Sequence, residues 1–456
     1  MRTLKAYLKL AVVVLTALKI FPASGEPVKF PEFKAANING AAGAFSVSNA
    51  NFHLSNSAGS NGTFFVFQKF SGNGQISARI RREADSPAKV GIIFQQRTNA
   101  VTQSAGVFLA DTNTVFERVF DIKQTLITTA IRTNEIFEWL RVVREGNAFS
   151  GFHSNDGTNW IQFSADSIEM PINIFAGLAI DSAGEATFDN VRMTSARLVS
   201  PPQNSQFVVP TNIFLKTEVT CFGEASASVE FFSDAAKIGD ATNGAMIWTN
   251  VLAANHSVTS KITTESGSEF FTEPANFEIK LPPTVVTFLR TDEITKGNWK
   301  GKYGAEGFLI ANDSTNLPSY AELILARPRK NTWEKSSGHP GALVQAGSNK
   351  RIASTWYSPT NILIDLTLAD GNFHCLTLYF LDWDKRERTE EVHVIDVSGK
   401  ILNSQKVTAF LNGKYLSWRI RGHVVVQIKR IAGGNTVVSG VFLDPEKPSV
   451  STGKKE

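Results

Sequence analysis

Trp139-Leu-Arg-Val-Val-Arg144, Glu145-Gly146-Asn147 and Ala148-Phe-Ser-Gly-Phe-His153 follow one another without interruption. Two runs rich in β-branched and aromatic residues flank a short turn centred on glycine, and that combination predicts a β-hairpin. A second turn, Asn155-Asp156-Gly157, leads into Trp160-Ile-Gln-Phe163, the next expected strand. Outward from here the same grammar repeats. Thr63–Phe70, Gln75–Arg82, Lys89–Gln95, Ala105–Ala110 and Thr125–Ile131 precede the hairpin, and Ile174–Asp181 and Ala186–Met193 follow it. Helical periodicity is almost absent along the whole chain, so the fold class is all-β. The 33 phenylalanines supply the large apolar side chains that such sheets bury.

A chain of 456 residues exceeds one ordinary core and suggests about three domains. The first 25 residues read as a signal peptide. Arg2, Lys5 and Lys9 form a basic start, an apolar run spans Leu10 to Leu18, and Ala23 and Gly25 give the small-residue spacing of a cleavage site. The run is too short to span a bilayer, although Lys19 and Pro22 blur its end and an uncleaved anchor is the competing reading. No later segment is apolar enough to span, so the mature chain is expected to be secreted, periplasmic or displayed at the cell surface. The formal charge of +4 is misleading. The first 25 residues hold four of the 46 basic residues and no acid, which leaves 42 against 42 acidic side chains. A net charge near zero excludes the broad electrostatic footprint of a nucleic-acid binder. Cys221 and Cys375 lie in different expected modules and are read as buried free thiols.

The first module, residues 32–196, carries Gly72-Asn-Gly-Gln-Ile-Ser-Ala-Arg-Ile80, Ala88-Lys-Val-Gly-Ile-Ile-Phe94, Ser154-Asn-Asp-Gly-Thr-Asn-Trp160, Ala176-Gly-Leu-Ala179 and Ala186-Thr-Phe-Asp-Asn-Val191 around the hairpin. In that order they resemble the concanavalin A/laminin G-like sandwich found beside bacterial glycoside hydrolases, including the C-terminal module of some β-xylosidases. The Pro-rich Ser200-Pro-Pro-Gln-Asn-Ser-Gln-Phe207 opens a second module, residues 200–283, expected as a linker followed by strands. Val229-Glu-Phe-Phe232, Ile238-Gly239 and Trp248-Thr-Asn-Val251 resemble bacterial Ig-like spacers, without the cysteine pair of antibody domains. Leu281-Pro-Pro283 precedes the third module, residues 287–445, with the tail 446–456 beyond it. Gly297-Asn-Trp-Lys-Gly-Lys-Tyr-Gly304, Ala353-Ser-Thr-Trp-Tyr-Ser358, Leu381-Asp-Trp-Asp384 and Ser439-Gly-Val-Phe442 resemble a galactose-binding-like jelly roll. The expectation is three β-sandwich modules in series: concanavalin A-like, Ig-like and jelly roll.

Candidate chemistry is sparse. Asp382 and Asp384 frame Trp383 and share a side of any strand, so acid–base work, calcium ligation and sugar binding are all readable there. The following Lys385-Arg-Glu-Arg388 favours a strand end laced with ion pairs. His374-Cys375 lies in an apolar run, which favours a core thiol over a nucleophile. Asn155-Asp156-Gly157 with Asp181 and Asp189 offers oxygens for calcium, yet turn chemistry alone accounts for the first three. No zinc spacing, nucleophile elbow or phosphate loop is present. Calcium is therefore the only cofactor left open. Among aromatics, Trp299, Trp333, Trp356 and Trp383 lie near expected loops, with Trp333 in the least apolar surroundings. Trp139 and Trp160 lie inside alternating strands and are expected in the core. The resemblance implies a secreted, non-catalytic protein attaching to a glycan or other extracellular polymer. The alternatives are a structural or protein-interaction component of the envelope and, last, a glycoside hydrolase. No feature fixes an oligomeric state.

Overall fold

The computed structural model describes residues 32–446 apart from 58–61, 83–87, 111–112, 120–125, 133–136 and 327. The expected signal segment and all but the first residue of the tail lie outside the described residues. Every regular element described is a β-strand. No helix among the described residues is long and apolar enough to cross a membrane.

The N-terminal sandwich closes two antiparallel sheets over one core. Its smaller sheet runs, in spatial order, Lys34–Ile38, Thr63–Ser71, Asn173–Asp181, Lys89–Gln95, Ser104–Ala110, Asn113–Val119 and Leu126–Arg132. The larger runs Ile161–Ser167, Ala148–Ser154, Trp139–Glu145, Asn73–Arg82, Gly184–Ser200, Ile213–Phe222 and Ala245–Trp248, with Asn51–Asn56 paired to the start of Gly184–Ser200 and Gly43–Ser48 paired to Asn51–Asn56. Between the sheets lie Phe52, Phe70, Phe94, Phe149 and Phe188. Phe94 meets Phe70 edge-on at 4.7 Å and Phe149 at 5.7 Å between centroids, the packing that aromatic quadrupoles favour. The run Thr63-Phe-Phe-Val-Phe67 breaks alternation because both faces are covered: Phe64 and Val66 enter this core, and Phe65 and Phe67 join Ile38, Ile93 and Phe108 on the other side.

The 17-residue strand Gly184–Ser200 joins the first expected module to the second. Its later half pairs with Ile213–Phe222, from Met193 opposite Phe222 to Ser200 opposite Lys216, so sheet hydrogen bonds join the segments on either side of the Pro-rich stretch read as a linker. A six-stranded sheet then faces this extension, ordered Gln206–Val208, Ala275–Lys280, Ala254–Thr264, Ser226–Ser233 and Ala236–Asp240, with Glu269–Phe271 beside Ala254–Thr264. Leu215, Phe231, Val258, Phe277 and Ile279 fill the space between.

The C-terminal region stacks a six-stranded sheet, Val285–Asp292, Lys414–Arg421, His374–Phe380, Gly440–Pro445, Gly307–Ile310 and Thr315–Asn316, on a five-stranded one, Ala321–Leu325, Asn361–Leu368, His423–Ala432, Thr389–Ile395 and Ile401–Val407. Trp356, Phe380, Phe410 and Trp418 lie in the core between them. It docks on the middle region through the turn after Leu368. The Ala253 N–H donates to the Ala369 carbonyl at 2.7 Å, and Gly371 stands at φ +73° where a Cβ would lie 2.6 Å from Val209.

Candidate functional site

The opening hairpin supplies the site. In Trp139–Glu145 the inward positions are Leu140 and Val142, both fully buried. Period-two geometry then turns Trp139, Arg141 and Val143 to the face away from the core, and all three are half-buried. Strand register sets three rows across this outer face. Ser46, His53, Thr187 and Arg81 align in one. Asp189, Arg79, Trp139 and Ser154 form the next. Arg192, Ser77, Arg141, Phe152 and Gln162 form the third.

At the third row the Arg141 guanidinium lies 4.5 Å from the Phe152 centroid and 4.6 Å from that of Trp160, stacked on both. Its Nε is buried without a hydrogen-bond partner among the described residues. Burial pushes its pKa down to about 10, so it remains a cation at neutral pH. Neighbouring arginines are paired: Arg79 reaches Glu138 at 2.6 Å and Arg81 reaches Asp189 at 3.3 Å. Beside the first row, a hollow of about 290 Å³ is lined by Ser46, His53, Arg81, Glu185 and Thr187. His53 Nδ1 and the Thr187 hydroxyl lie 3.0 Å apart there. Gly157, at φ +76°, is the hinge that lets the turn after Ser154 cross Trp139, where a Cβ would come within 2.8 Å of the indole.

This is where sequence reasoning failed. Trp139 and Trp160 were expected in the core and instead belong to the outer face. The signal was present, since Trp139 shares its parity with Arg141 and opposes that of Leu140 and Val142.

The residues singled out by sequence sit elsewhere. Trp299 and Trp356 are buried, at 5% and 4% exposure, and offer no ring face to a ligand. The Trp299 indole N–H donates to the Val344 carbonyl at 2.6 Å. Trp333 is half-buried with the Arg388 guanidinium 5.9 Å from its ring, and Trp383 is half-buried against the edge of His339 at 5.2 Å. Asp382 and Asp384 both grip Arg388. Asp382 also accepts the Arg386 and Arg388 N–H groups at 3.1 and 3.2 Å. Burial would raise the Asp384 pKa, but its bonds to Arg388 outweigh that and lower it. These carboxylates are committed to closing a loop.

The calcium candidates do not converge. Asp156 accepts the Thr158 and Asn159 N–H groups at 2.8 Å each, which hold its carboxyl well below the usual range. Asp181 faces Lys89 at 2.9 Å, and Asp189 is held by Arg81. Among the described residues no three His, Cys, Asp or Glu side chains form a group that could hold a metal ion. Cys221 and Cys375 are unbridged and half-buried, not fully buried as expected.

Sequence reasoning also missed a cluster on the docking turn. Buried His374 sets Nδ1 2.8 Å from Glu306 and Nε2 3.0 Å from Asp370, and Tyr320 stacks on it at 4.5 Å. Burial would lower the His374 pKa, yet the two carboxylates outweigh it and raise it. Tyr320 and Asp370 also line a cleft of about 610 Å³ against Pro210, Asn212 and Leu252 of the middle region.

No known family profile matches the chain, and no curated protein matches it. Solved structures that resemble it include a functionally unknown protein from Saccharomyces cerevisiae, at 13% identity and TM-score 0.29 over 34% of this chain and 96% of that one. A carbohydrate-binding module from Bacillus subtilis gives 13% identity and TM-score 0.27 over 36% and 95%. Fibronectin(III)-like modules from Clostridium thermocellum give 11% identity and TM-score 0.18 over 57% and 99%. At such scores these neighbours carry no argument about function.

Proposed function

We propose that the chain is an exported, non-catalytic binding protein that attaches to carbohydrate through the outer face of the larger N-terminal sheet. One observation supports the reading: Trp139, Phe152 and Trp160 lie half-buried on the same outer face as Arg141, with Phe152 and Trp160 stacked on its guanidinium, amid mostly polar and charged neighbours such as Ser77, Arg79, Thr187, Asp189 and Arg192. A sugar ring presents both apolar C–H faces and hydroxyls, and a flat surface mixing aromatic rings with fixed donors complements both. The strands beneath are anchored by the Phe94–Phe149 core, so the face is preorganised and little ordering entropy opposes binding.

The test is retention of the mature chain by a panel of insoluble polysaccharides, alongside Trp160→Ala. Retention by at least one polymer, lost in a variant whose melting temperature is unchanged, is the expected result. Absence of retention by the whole panel contradicts the reading.

A further inference from the structure

We infer that the glycan taken by this face is acidic, bearing carboxylate or sulfate groups, and that Arg141 and Arg192 are its anion contacts. The inference rests on the binding reading above and adds the chemical class of ligand. Four arginines stand near the centre of the face. Glu138 neutralises Arg79, and Asp189 neutralises Arg81. Among the described residues neither Arg141 nor Arg192 has a carboxylate partner. Ser77 separates them in register, which places them two strand spacings, about 10 Å, apart across the sheet. Glu224 lies beside this end of the face and is engaged by the Thr194 hydroxyl at 2.9 Å and the Ser266 hydroxyl at 2.7 Å.

Arg141 is the unusual member. Its plane is fixed by the Phe152 and Trp160 rings, its Nε lacks an acceptor, and desolvation without a counter-charge is unfavourable in the free protein. A bound carboxylate or sulfate relieves that cost through charge-assisted, fork-matched hydrogen bonds, while neighbouring sugar rings pack on the same aromatics. A neutral glycan leaves the guanidinium unpaired. With basic and acidic residues balanced beyond residue 25, the attraction is local to this face.

The full chain should be run by affinity electrophoresis in gels containing polygalacturonate, dextran sulfate or neutral dextran, with double-stranded DNA as a further polyanion. Retardation is expected in one or both acidic gels, weakening as salt is raised. Comparison of the two acidic gels tells carboxylate from sulfate. Arg141→Ala and Arg192→Ala should each weaken it about tenfold or more. Arg141→Lys, which keeps the charge and loses the fork, should fall between. Retardation by neutral dextran at least as strong as by the acidic polymers overturns the acidic class and leaves the glycan reading standing. Wild-type retardation by Arg192→Ala and Arg141→Lys also overturns it, as does DNA binding that matches the acidic polymers. No retardation in either acidic gel overturns the acidic class, and the polysaccharide panel above then decides the glycan reading by itself.

Discussion

Replacing Asp382 by alanine should unfold the C-terminal region at a markedly lower temperature without altering polymer binding. The Asp382 and Arg388 side chains are 4% and 2% exposed, so their pairing is almost unscreened by water. Removing the carboxylate leaves a buried guanidinium with Asp384 as its remaining charged partner and strips the acceptor from two backbone N–H groups. Breaking one side of a buried pair costs about 3–5 kcal/mol, and because Asp384 persists the lower figure applies. At roughly 2–4 °C per kcal/mol for a unit of this size, the melting transition should fall by roughly 6–12 °C. Asp382→Asn keeps an acceptor for the N–H groups and should lose less. Scanning calorimetry on the purified chain reads both. A loss under about 1 kcal/mol, the range of exposed ion pairs, refutes the buried-latch reasoning. Loss of polysaccharide retention in folded Asp382→Ala would return the Asp-Trp-Asp motif to candidacy as a binding site.

Two further outcomes concern pH. His374 titrates above its ordinary value in the fold, so its contribution is complete below about pH 6.5 and fades as pH rises through the raised pKa. Asp370 titrates below its ordinary value, so its share is present above about pH 4 and is lost on acidification. The destabilisation caused by His374→Gln, measured by urea unfolding, should therefore peak between those limits; a pH-independent difference contradicts the assignment. Glu390 is fully buried, accepts the Val437 N–H at 2.7 Å through one oxygen and finds no partner among the described residues for the other, and burial pushes its pKa well above the usual carboxylate range. Its stabilisation is complete below about pH 4.3 and falls by about 1.4 kcal/mol per pH unit up to the raised pKa, so Glu390→Gln should gain on the wild type as pH rises. Parallel pH profiles for the two would sink that prediction.

The fold class was legible because alternation and turn residues are local signals; the hairpin formed where it was expected, with Trp139 opposite Ser154 through Glu145 opposite Ala148, so that Glu145 belongs to the strand and the turn is one residue shorter than Glu145–Asn147. Less legible was what one strand does to two regions at once. Ser200-Pro201-Pro202 looks like a break, yet the residues just before it are zipped to Ile213–Phe222, a pairing that depends on partners distant in sequence. The ion pair of Asp382 with Arg388, only six residues on, was within reach of local reading, but its burial was not. The outer-face aromatics were misread for a different reason. Tryptophan size was weighed as a core signal, although the parity of Trp139 with Arg141 pointed outward. His374 escaped because Glu306 and Tyr320 approach it from segments over fifty residues away.

The central claim is that binding occurs on the outer sheet face around Arg141. A crystal structure of the chain soaked with an acidic oligosaccharide that it retains tests this directly. The account predicts sugar density packed on Trp160 and Phe152 with an anionic group at Arg141. Density confined to the C-terminal region, beside Trp333 or Trp383, would contradict it.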